Sequence, residues 1–291
     1  MPIAEAPAHT DRSITTRRMV IEHGHDIPRH FVDGDLVQSH LMAVLSATFP
    51  KGEQFFVDSV RAYREEIDDD RLRAQVAGFI GQESMHGREH DRLNQVLQGL
   101  GYPTRRVDQG TGAILGLFAR VAPRSVQLAL TAAAEHFTSV LAEQILDDDA
   151  LASQHLSDEL RALFQWHALE ECEHKSVAFD VYQERVGSEV IRIATMHVVT
   201  ALLATVALGA LAASVASDPA SRNPVRLVRS VLGLRRSPFA RRTIGLRLLE
   251  YNRPGFHPDD RDTEELLARW RAALFGPEGT LNEHLTRRAA S

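Results

Sequence analysis

The chain has 291 residues, of which 44% are hydrophobic and 25% are charged, a composition close to that of average soluble globular proteins. It excludes disordered, collagenous and disulfide-rich chains, and a chain of this length can fold without a structural metal. The net charge of −6 argues against a protein that binds nucleic acid over its whole surface, and a single cysteine without a secretory signal predicts a cytoplasmic protein.

Residues 1–34 are predicted to form an N-terminal arm or loop, because they are polar, contain three prolines and show no apolar periodicity. Three histidines of this arm, His23, His25 and His30, could form a metal cluster, but we favour solvated side chains. The arm would be the first of three parts, followed by a metal-binding bundle at 35–187 and a helical extension at 188–291 that packs on the bundle.

Apolar residues recur at helical spacing in four segments of the predicted bundle. Pro50 predicts a kink or a new start within the first segment, because proline cannot donate a backbone hydrogen bond. A long, glycine-rich crossover at 99–124 separates the second segment from the third. Two helices, a crossover and two more helices are the order of all-α, ferritin-like four-helix bundles. The four predicted helices cover residues 35–67, 70–98, 124–146 and 158–185.

The motif Glu-x-x-His occurs on both the second and the fourth predicted helix. At about 100° per residue, each motif and one further histidine fall within about 60° of a single helix face. Bundle sites for two metal ions need two such motifs and one glutamate from each of the other two helices. The two faces present Glu83, His86 and His90 on one helix and His167, Glu171 and His174 on the other.

The remaining two helices each supply a candidate glutamate. Glu135 lies in an apolar stretch, where a carboxylate without a partner is costly to bury. Glu143 points much the same way but lies near the helix end. On the first helix Glu53 lies among aromatic residues, whereas Glu65 and Glu66 fall in a charged tail and are poorer candidates.

These residues predict a dinuclear metal site with Glu53, Glu83, His86, Glu135, Glu171 and His174 as ligands. His167 is a candidate seventh ligand, and His90 and Glu170 could orient ligands through hydrogen bonds. His136 is interpreted as a packing residue. The competing interpretation is that both motifs are solvated charged faces. An oxygen-rich set with few nitrogens favours two iron ions, or manganese, over structural zinc.

Five segments resemble the bacterial family of predicted metal-dependent hydrolases, and the resemblance covers about residues 15–275. The helix order and the pattern His-x-x-x-Glu-x-x-His are also similar to the di-iron arylamine oxygenases, of the p-aminobenzoate N-oxygenase type. This second similarity implies seven ligands, with His167 included and His90 without a ligand role. The segments are FPKGEQFF (49–56), QESMH (82–86), EHFT (135–138), WHALEECEHK (166–175) and RPGFHP (253–258).

Three functions follow from this site. We favour an enzyme whose two metal ions activate O2 to oxidise a small apolar or aromatic substrate. Hydrolysis by a metal-activated water is the alternative that the family label implies, and a third option is iron handling or a membrane-associated scaffold. No strand precedes a glycine-rich nucleotide loop, so a separate electron donor is expected. The substrate and the oligomeric state are left open, with a homodimer as one option.

Residues 194–216 carry no full charge and are long enough to cross a bilayer. Eight arginines and no acid follow at 219–249, and a single span would place them outside, against the positive-inside tendency. We therefore favour a helix buried against the bundle, with an interfacial helix over anionic headgroups as the alternative. A turn at 253–258 and an amphipathic helix at 263–275 complete the chain, and His257 is interpreted as a packing residue.

Overall fold

The computed structural model describes residues 13–24, 27–147 and 154–286, and there the chain is all-α, which confirms the predicted fold class. Within these ranges the one β-type contact is a bridge between Met19 and Leu285. The helices in chain order are α1 (Leu36–Arg61), α2 (Asp70–Gly99), α3 (Thr104–Val121), α4 (Arg124–Asp147), α5 (Asp158–His174), α6 (Val177–Arg185), α7 (Glu189–Ser217), α8 (Pro224–Gly233), α9 (Arg242–Glu250) and α10 (Glu264–Phe275).

Helix α1 continues through Pro50, so no new helix starts there. Proline leaves the carbonyl of Ser46, four residues earlier, without its helical donor. The side-chain amide of Asn94 on α2 donates to that carbonyl at 3.0 Å, so the gap is filled from the neighbouring helix. α1 ends at Arg61 rather than near residue 67, and a short 3-10 turn follows at Arg64–Glu66.

The long connection predicted at 99–124 contains a helix that the sequence pattern did not reveal: α3, an 18-residue amphipathic helix that packs on α1. Gly112 allows this packing, since a Cβ there would lie 3.3 Å from the Lys51 side chain. The fourth predicted helix is two helices, α5 and α6, and the break follows His174, where the Lys175 ammonium is buried and donates to the carbonyl of Arg261 at 2.8 Å.

Helices α1 and α2 pack as one pair and α4 and α5 as another, and the two pairs contact each other through α1 with α4 and α2 with α5. One core cluster joins Met19, Leu93, Leu163 and Trp270, which come from the arm, the bundle and α10. The ferritin-like arrangement and the division into three parts stay predictions. α10 matches the helix predicted at 263–275 within one residue.

The described part of the arm is not a solvated loop, because Met19, Ile21 and Phe31 are buried in the core. Of the three histidines considered for a metal cluster, His25 lies outside the described residues. Among the described residues His23 joins no group of candidate metal ligands, and the His30 ring meets the carboxylate of Asp218 at 3.1 Å. The arm is therefore part of the globular body, since enough apolar side chains lie among its polar residues to hold it there.

Helix α7 contradicts the favoured interpretation of a buried helix. It packs on α1 and α4 along one side, but only 22% of its most apolar 18-residue window is buried. It is the one helix of the described residues that is long and apolar enough to cross a membrane. An apolar composition indicates a helix that is unfavourable in water, but it does not show whether the protein itself or another apolar surface covers that helix.

Asp218, which caps the end of α7, is expected to hold the arm to the bundle. Its buried carboxylate accepts from Arg29 at 3.0 Å and from the His40 ring at 3.1 Å, besides the contact with His30. Asp218→Asn should lower the free energy of unfolding by about 3 kcal/mol, because it leaves buried donors without their charged partner. Asp58→Asn, at a carboxylate that is 60% exposed, is the control and should stay within about 0.5 kcal/mol in urea unfolding.

Candidate metal centre

The first group of metal-ligating atoms comes from three helices. A carboxylate oxygen of Glu53 on α1 and ring nitrogens of His86 on α2 and His167 on α5 all lie within 4.8 Å of one another. All three side chains are buried. This spacing fits three ligands around one cation of about 2 Å bond length.

A second group lies beside the first. Ligand atoms of Glu83 on α2 and of Glu171 and His174 on α5 also lie within 4.8 Å of one another. Glu135 on α4 borders this group, since its Oε2 lies 3.2 Å from Nε2 of His174. The second group therefore draws on α2, α4 and α5, and the two groups together use all four of the helices predicted to build the site.

The two groups share a carboxylate. Oε1 of Glu171 lies 2.9 Å from Nε2 of His167 in the first group, while its Oε2 lies 3.7 Å from Nε2 of His174 in the second. Glu83 is placed similarly, with Oε1 at 3.0 Å from His174 Nε2 and at 3.9 Å from His86 Nδ1. The structure thus brings all seven sequence-predicted ligands into one cluster whose carboxylates can bridge two cations.

The atoms that face the middle of the cluster are buried without hydrogen bonds. They comprise both carboxylate oxygens of Glu53, Glu83 and Glu135, Oε2 of Glu171, Nδ1 of His86 and Nε2 of His174. Some lie near an opposite charge, as His174 does to Glu83, but without hydrogen-bond alignment. Buried polar atoms without partners are rare and costly. Two bound cations would supply the missing partners, so the residues present fit the metals that the sequence implies.

The electrostatics of the cluster point the same way. Burial, and then the charge of Glu83, raises the pKa of Glu53 well above its usual range, and burial with Glu171 raises the pKa of Glu135 to about 7. Burial opposes the charged form of His174, but Glu171 and Glu83 raise the pKa of this ring well above its usual value. Without cations the cluster would therefore retain protons, and bound cations would displace them.

Each ligating imidazole is held through its other ring nitrogen. Nε2 of His86 lies 3.0 Å from Oε2 of Glu170, and Nδ1 of His167 lies 2.6 Å from Nε2 of His90. These contacts give His90 and Glu170 the orienting geometry considered from the sequence. For His174 the partner is Gln82, whose Oε1 lies 2.9 Å from Nδ1. Such contacts fix which nitrogen faces a metal and how the ring is turned.

Arg17, from the arm, connects two of these partners. Its guanidinium pairs with Glu170 at 2.8 Å and with Glu173 at 2.7 Å, and Glu173 accepts from Gln82 at 3.0 Å. The rings of His86 and His174 are therefore both held, through one or two side chains, by this one arginine. Sequence reasoning assigned no role to Gln82, Glu173 or Arg17. Gln82 and Glu173 adjoin ligands and could have been found, but no periodicity marked Arg17.

Aromatic rings and one glycine shape the walls of the cluster. The ring of Phe49 packs on those of His90 and His167 with centroids 4.6 Å apart, and Trp166 lies edge-on to His86 at 4.9 Å. Gly87 lets α1 and α2 approach, since a Cβ there would lie 3.2 Å from Oε2 of Glu53. The surroundings are therefore apolar and tightly packed, which strengthens electrostatic interactions inside.

The poorer candidates lie elsewhere. Glu143 pairs with Arg261 at 3.0 Å and with Lys175 at 3.6 Å, and Glu65 is exposed. His136 turns away and meets the carbonyl of Arg247 at 3.1 Å. His257 contacts Asp180 at 2.7 Å. Among the described residues His30, His40 and Asp218 form a further group at ligand spacing, but Arg29 already donates to the same oxygen of Asp218 that both rings contact.

We expect Glu135→Gln to stabilise the metal-free protein and to destabilise the metal-loaded one. In the presence of a chelator the substitution removes one of four clustered carboxylates, so the free energy of unfolding should rise by about 1 kcal/mol. With metal bound the substitution removes the charge of a ligand, so the variant should then be less stable than the wild type. Denaturant unfolding with and without metal measures both, and Glu65→Gln, at an exposed glutamate, should change neither. If Glu135→Gln changed the free energy of unfolding in the same direction with and without metal, cations would not be what compensates the clustered carboxylates.

Arg17→Gln is expected to weaken metal binding about 10-fold to 100-fold, because the partners of His86 and His174 lose their common anchor. The matched control is Arg29→Gln, which removes another ion pair of the same arm but has no connection to the ligating rings. Competition with a chromophoric chelator measures the affinities, and cobalt absorption spectra report on ligand geometry. Equal losses in both variants would show that Arg17 only holds the arm.

Comparison with known proteins identifies a family for the chain. The model of the family described as predicted metal-dependent hydrolase matches residues 15–262, a range that includes all seven clustered ligands and Arg17. No curated protein and no solved structure matches the chain. Since the match extends over far more than half of the sequence, the chain belongs to the family of predicted metal-dependent hydrolases.

Proposed function

We propose that the protein is a dinuclear metal enzyme that uses O2 to oxidise a small apolar or aromatic substrate. The observation that carries the proposal is the pair of adjacent ligand groups with Glu171 between them. Two ions that share a carboxylate act on one substrate atom together, which separates this site from a structural one.

The ligand types favour iron or manganese. Four carboxylates and three imidazoles form an oxygen-rich set of hard and borderline ligands, whereas structural zinc sites are closed tetrahedra of thiolates and imidazoles. Cys172 is the one cysteine of the chain, and burial raises the pKa of its thiol well above the usual range, which disfavours a thiolate ligand. We therefore propose Fe(II), with Mn(II) as the alternative, at both positions.

When bound, the ions would supply Lewis acidity and the capacity to exchange electrons with O2. The protein's own side chains would orient the ligating rings and exclude water from the site. Glu170 and Gln82 fix the rings of His86 and His174, while Phe49, Phe79 and Trp166 line the cluster. The rim of apolar rings suits an apolar or aromatic substrate. Electrons for oxygen chemistry would come from a separate donor protein or small reductant.

Hydrolysis is a second candidate, and the family description favours it. The clustered carboxylates and imidazoles would hold the ions, whose Lewis acidity would activate water towards an ester, amide or phosphate. In that reaction no electron donor is needed.

Metal content tests the site itself. The purified protein, stripped with a chelator and reloaded with Fe(II) without oxygen, should hold two ions per chain, and Glu171→Ala should abolish this stoichiometric binding because both groups lose a ligand. Glu65→Ala, at an exposed glutamate, serves as the control. Two retained ions in Glu171→Ala would refute the shared site, and many ions per chain would indicate iron storage instead.

Oxygen reactivity decides between the two reactions. The Fe(II)-loaded protein mixed with O2 in a stopped-flow spectrometer should give an optical transient and consume oxygen in proportion to its iron content. If it consumes none, and the Mn(II)- or Zn(II)-loaded protein instead turns over nitrophenyl esters or phosphates, the hydrolytic function replaces the oxidative one. Apo protein is the blank for both assays.

A further inference from the structure

Helix α7 is apolar but largely uncovered. Its most apolar 18-residue window has a mean hydropathy of 2.2, and only 22% of that window is buried. Val198, Leu203 and Leu208 are between 43% and 65% exposed. Single exposed apolar residues are ordinary, but a run of this length on one helix indicates a surface that something covers.

Both ends of α7 are fixed to the body of the protein. Near its start, Arg192 is fully buried and bonds to the backbone carbonyls of Tyr251 and Arg253. Near its end, Ser214 meets Nδ1 of the His40 ring on α1 at 2.7 Å. A helix held in this way cannot cross a bilayer unless polar groups of the bundle enter hydrocarbon, where they lose their water. α7 therefore presents its outer face sideways, along the surface of the bundle.

Helix α8 has a similar outer face that also carries charge. Val225, Val228 and Leu232 are between 50% and 65% exposed, and Arg229 is exposed among them. The opposite face of α8 is fixed to α1, because the Ser230 hydroxyl accepts from the Val37 N–H at 2.7 Å. The exposed residues recur at three- and four-residue steps, which is the pattern of an amphipathic helix whose apolar side faces outwards.

Helix α9 also carries exposed apolar residues. It packs on α4, while α7 packs on α1 and α4 and α8 packs on α1. Its Leu246 and Leu249 are 64% and 63% exposed. We call the exposed residues Val198, Leu203, Leu208, Val225, Val228, Arg229, Leu232, Leu246 and Leu249 the basic apolar face.

We propose that the basic apolar face rests on an anionic lipid bilayer, with α7 and α8 in the plane of the interface. Positive charge favours an anionic lipid surface as the partner, because residues 219–249 contain eight arginines and no acid. Arg222, Arg229 and Arg242 are exposed and form no ion pair among the described residues. A second copy of the chain on the same face would bring arginines against arginines. Lipid phosphates instead pair with guanidinium groups, while valines and leucines enter the acyl boundary.

Flotation with lipid vesicles tests the proposal on the full chain. The protein should float with vesicles of phosphatidylcholine and phosphatidylglycerol, but not with phosphatidylcholine alone. Its binding should fall between about 0.1 M and about 1 M NaCl. Arg229→Gln should weaken binding about fivefold, the factor expected for one arginine near an anionic surface. Arg88→Gln, which changes net charge equally at an exposed arginine of α2, should leave binding unchanged.

A second variant tests how much the apolar side chains contribute to vesicle binding. Val228→Asp places a carboxylate at a position that is 56% exposed, so it should abolish flotation while circular dichroism and the melting temperature stay those of the wild type. Flotation that is equal in all variants, or absent from anionic vesicles, would overturn the proposal. So would a dimer in light scattering that Val228→Asp dissociates, since a second copy would then occupy the face. Resistance of bound protein to alkaline extraction would indicate a span instead.

Discussion

The burial of four carboxylates and three imidazoles between helices is the constraint on which this structure depends. Charged groups that lose water without gaining partners are costly by several kcal/mol each, so a fold that collects them must compensate them locally. The protein does so in two layers. The inner atoms are buried without hydrogen bonds and available to cations, and the outer atoms are hydrogen-bonded by Glu170, Gln82 and His90.

The helices that carry the candidate ligands, and the helix faces that those side chains share, could be predicted because both depend on local spacing. Glu83 with His86 and Glu171 with His174 lie three residues apart, so that each pair shares a helix face. The helix on which Glu135 sits was recognisable from its apolar run. Spacing also offered His167 as a candidate seventh ligand, and the similarity to di-iron arylamine oxygenases implied it as a ligand. The match of the family model confirms membership of the predicted metal-dependent hydrolases, but that second similarity stays a prediction.

The parts that could not be predicted depend on contacts between distant residues. Nothing near Arg17 shows that its partner is Glu173, 156 positions later. α3 was not recognised within the glycine-rich crossover, yet one of its glycines, Gly112, lets it approach Lys51. The apolar stretch of α7 was assigned to the interior, but composition does not distinguish burial by protein from exposure to lipid. Each error arises where tertiary packing overrides local sequence preference.

The two arginines that contact Glu173 lie far apart in the sequence, so they become available at different times during synthesis. It accepts from Arg17 near the start of the chain and from Arg271 on α10, at 2.7 Å in both cases. All clustered candidate ligands, and Arg17, have been synthesised once His174 is added, but Arg271 follows almost 100 residues later. Contacts of such long range form late in folding. A nascent chain thus carries its candidate ligands before the second arginine that holds Glu173 exists, so a cation captured during synthesis would meet a looser site than the finished protein offers.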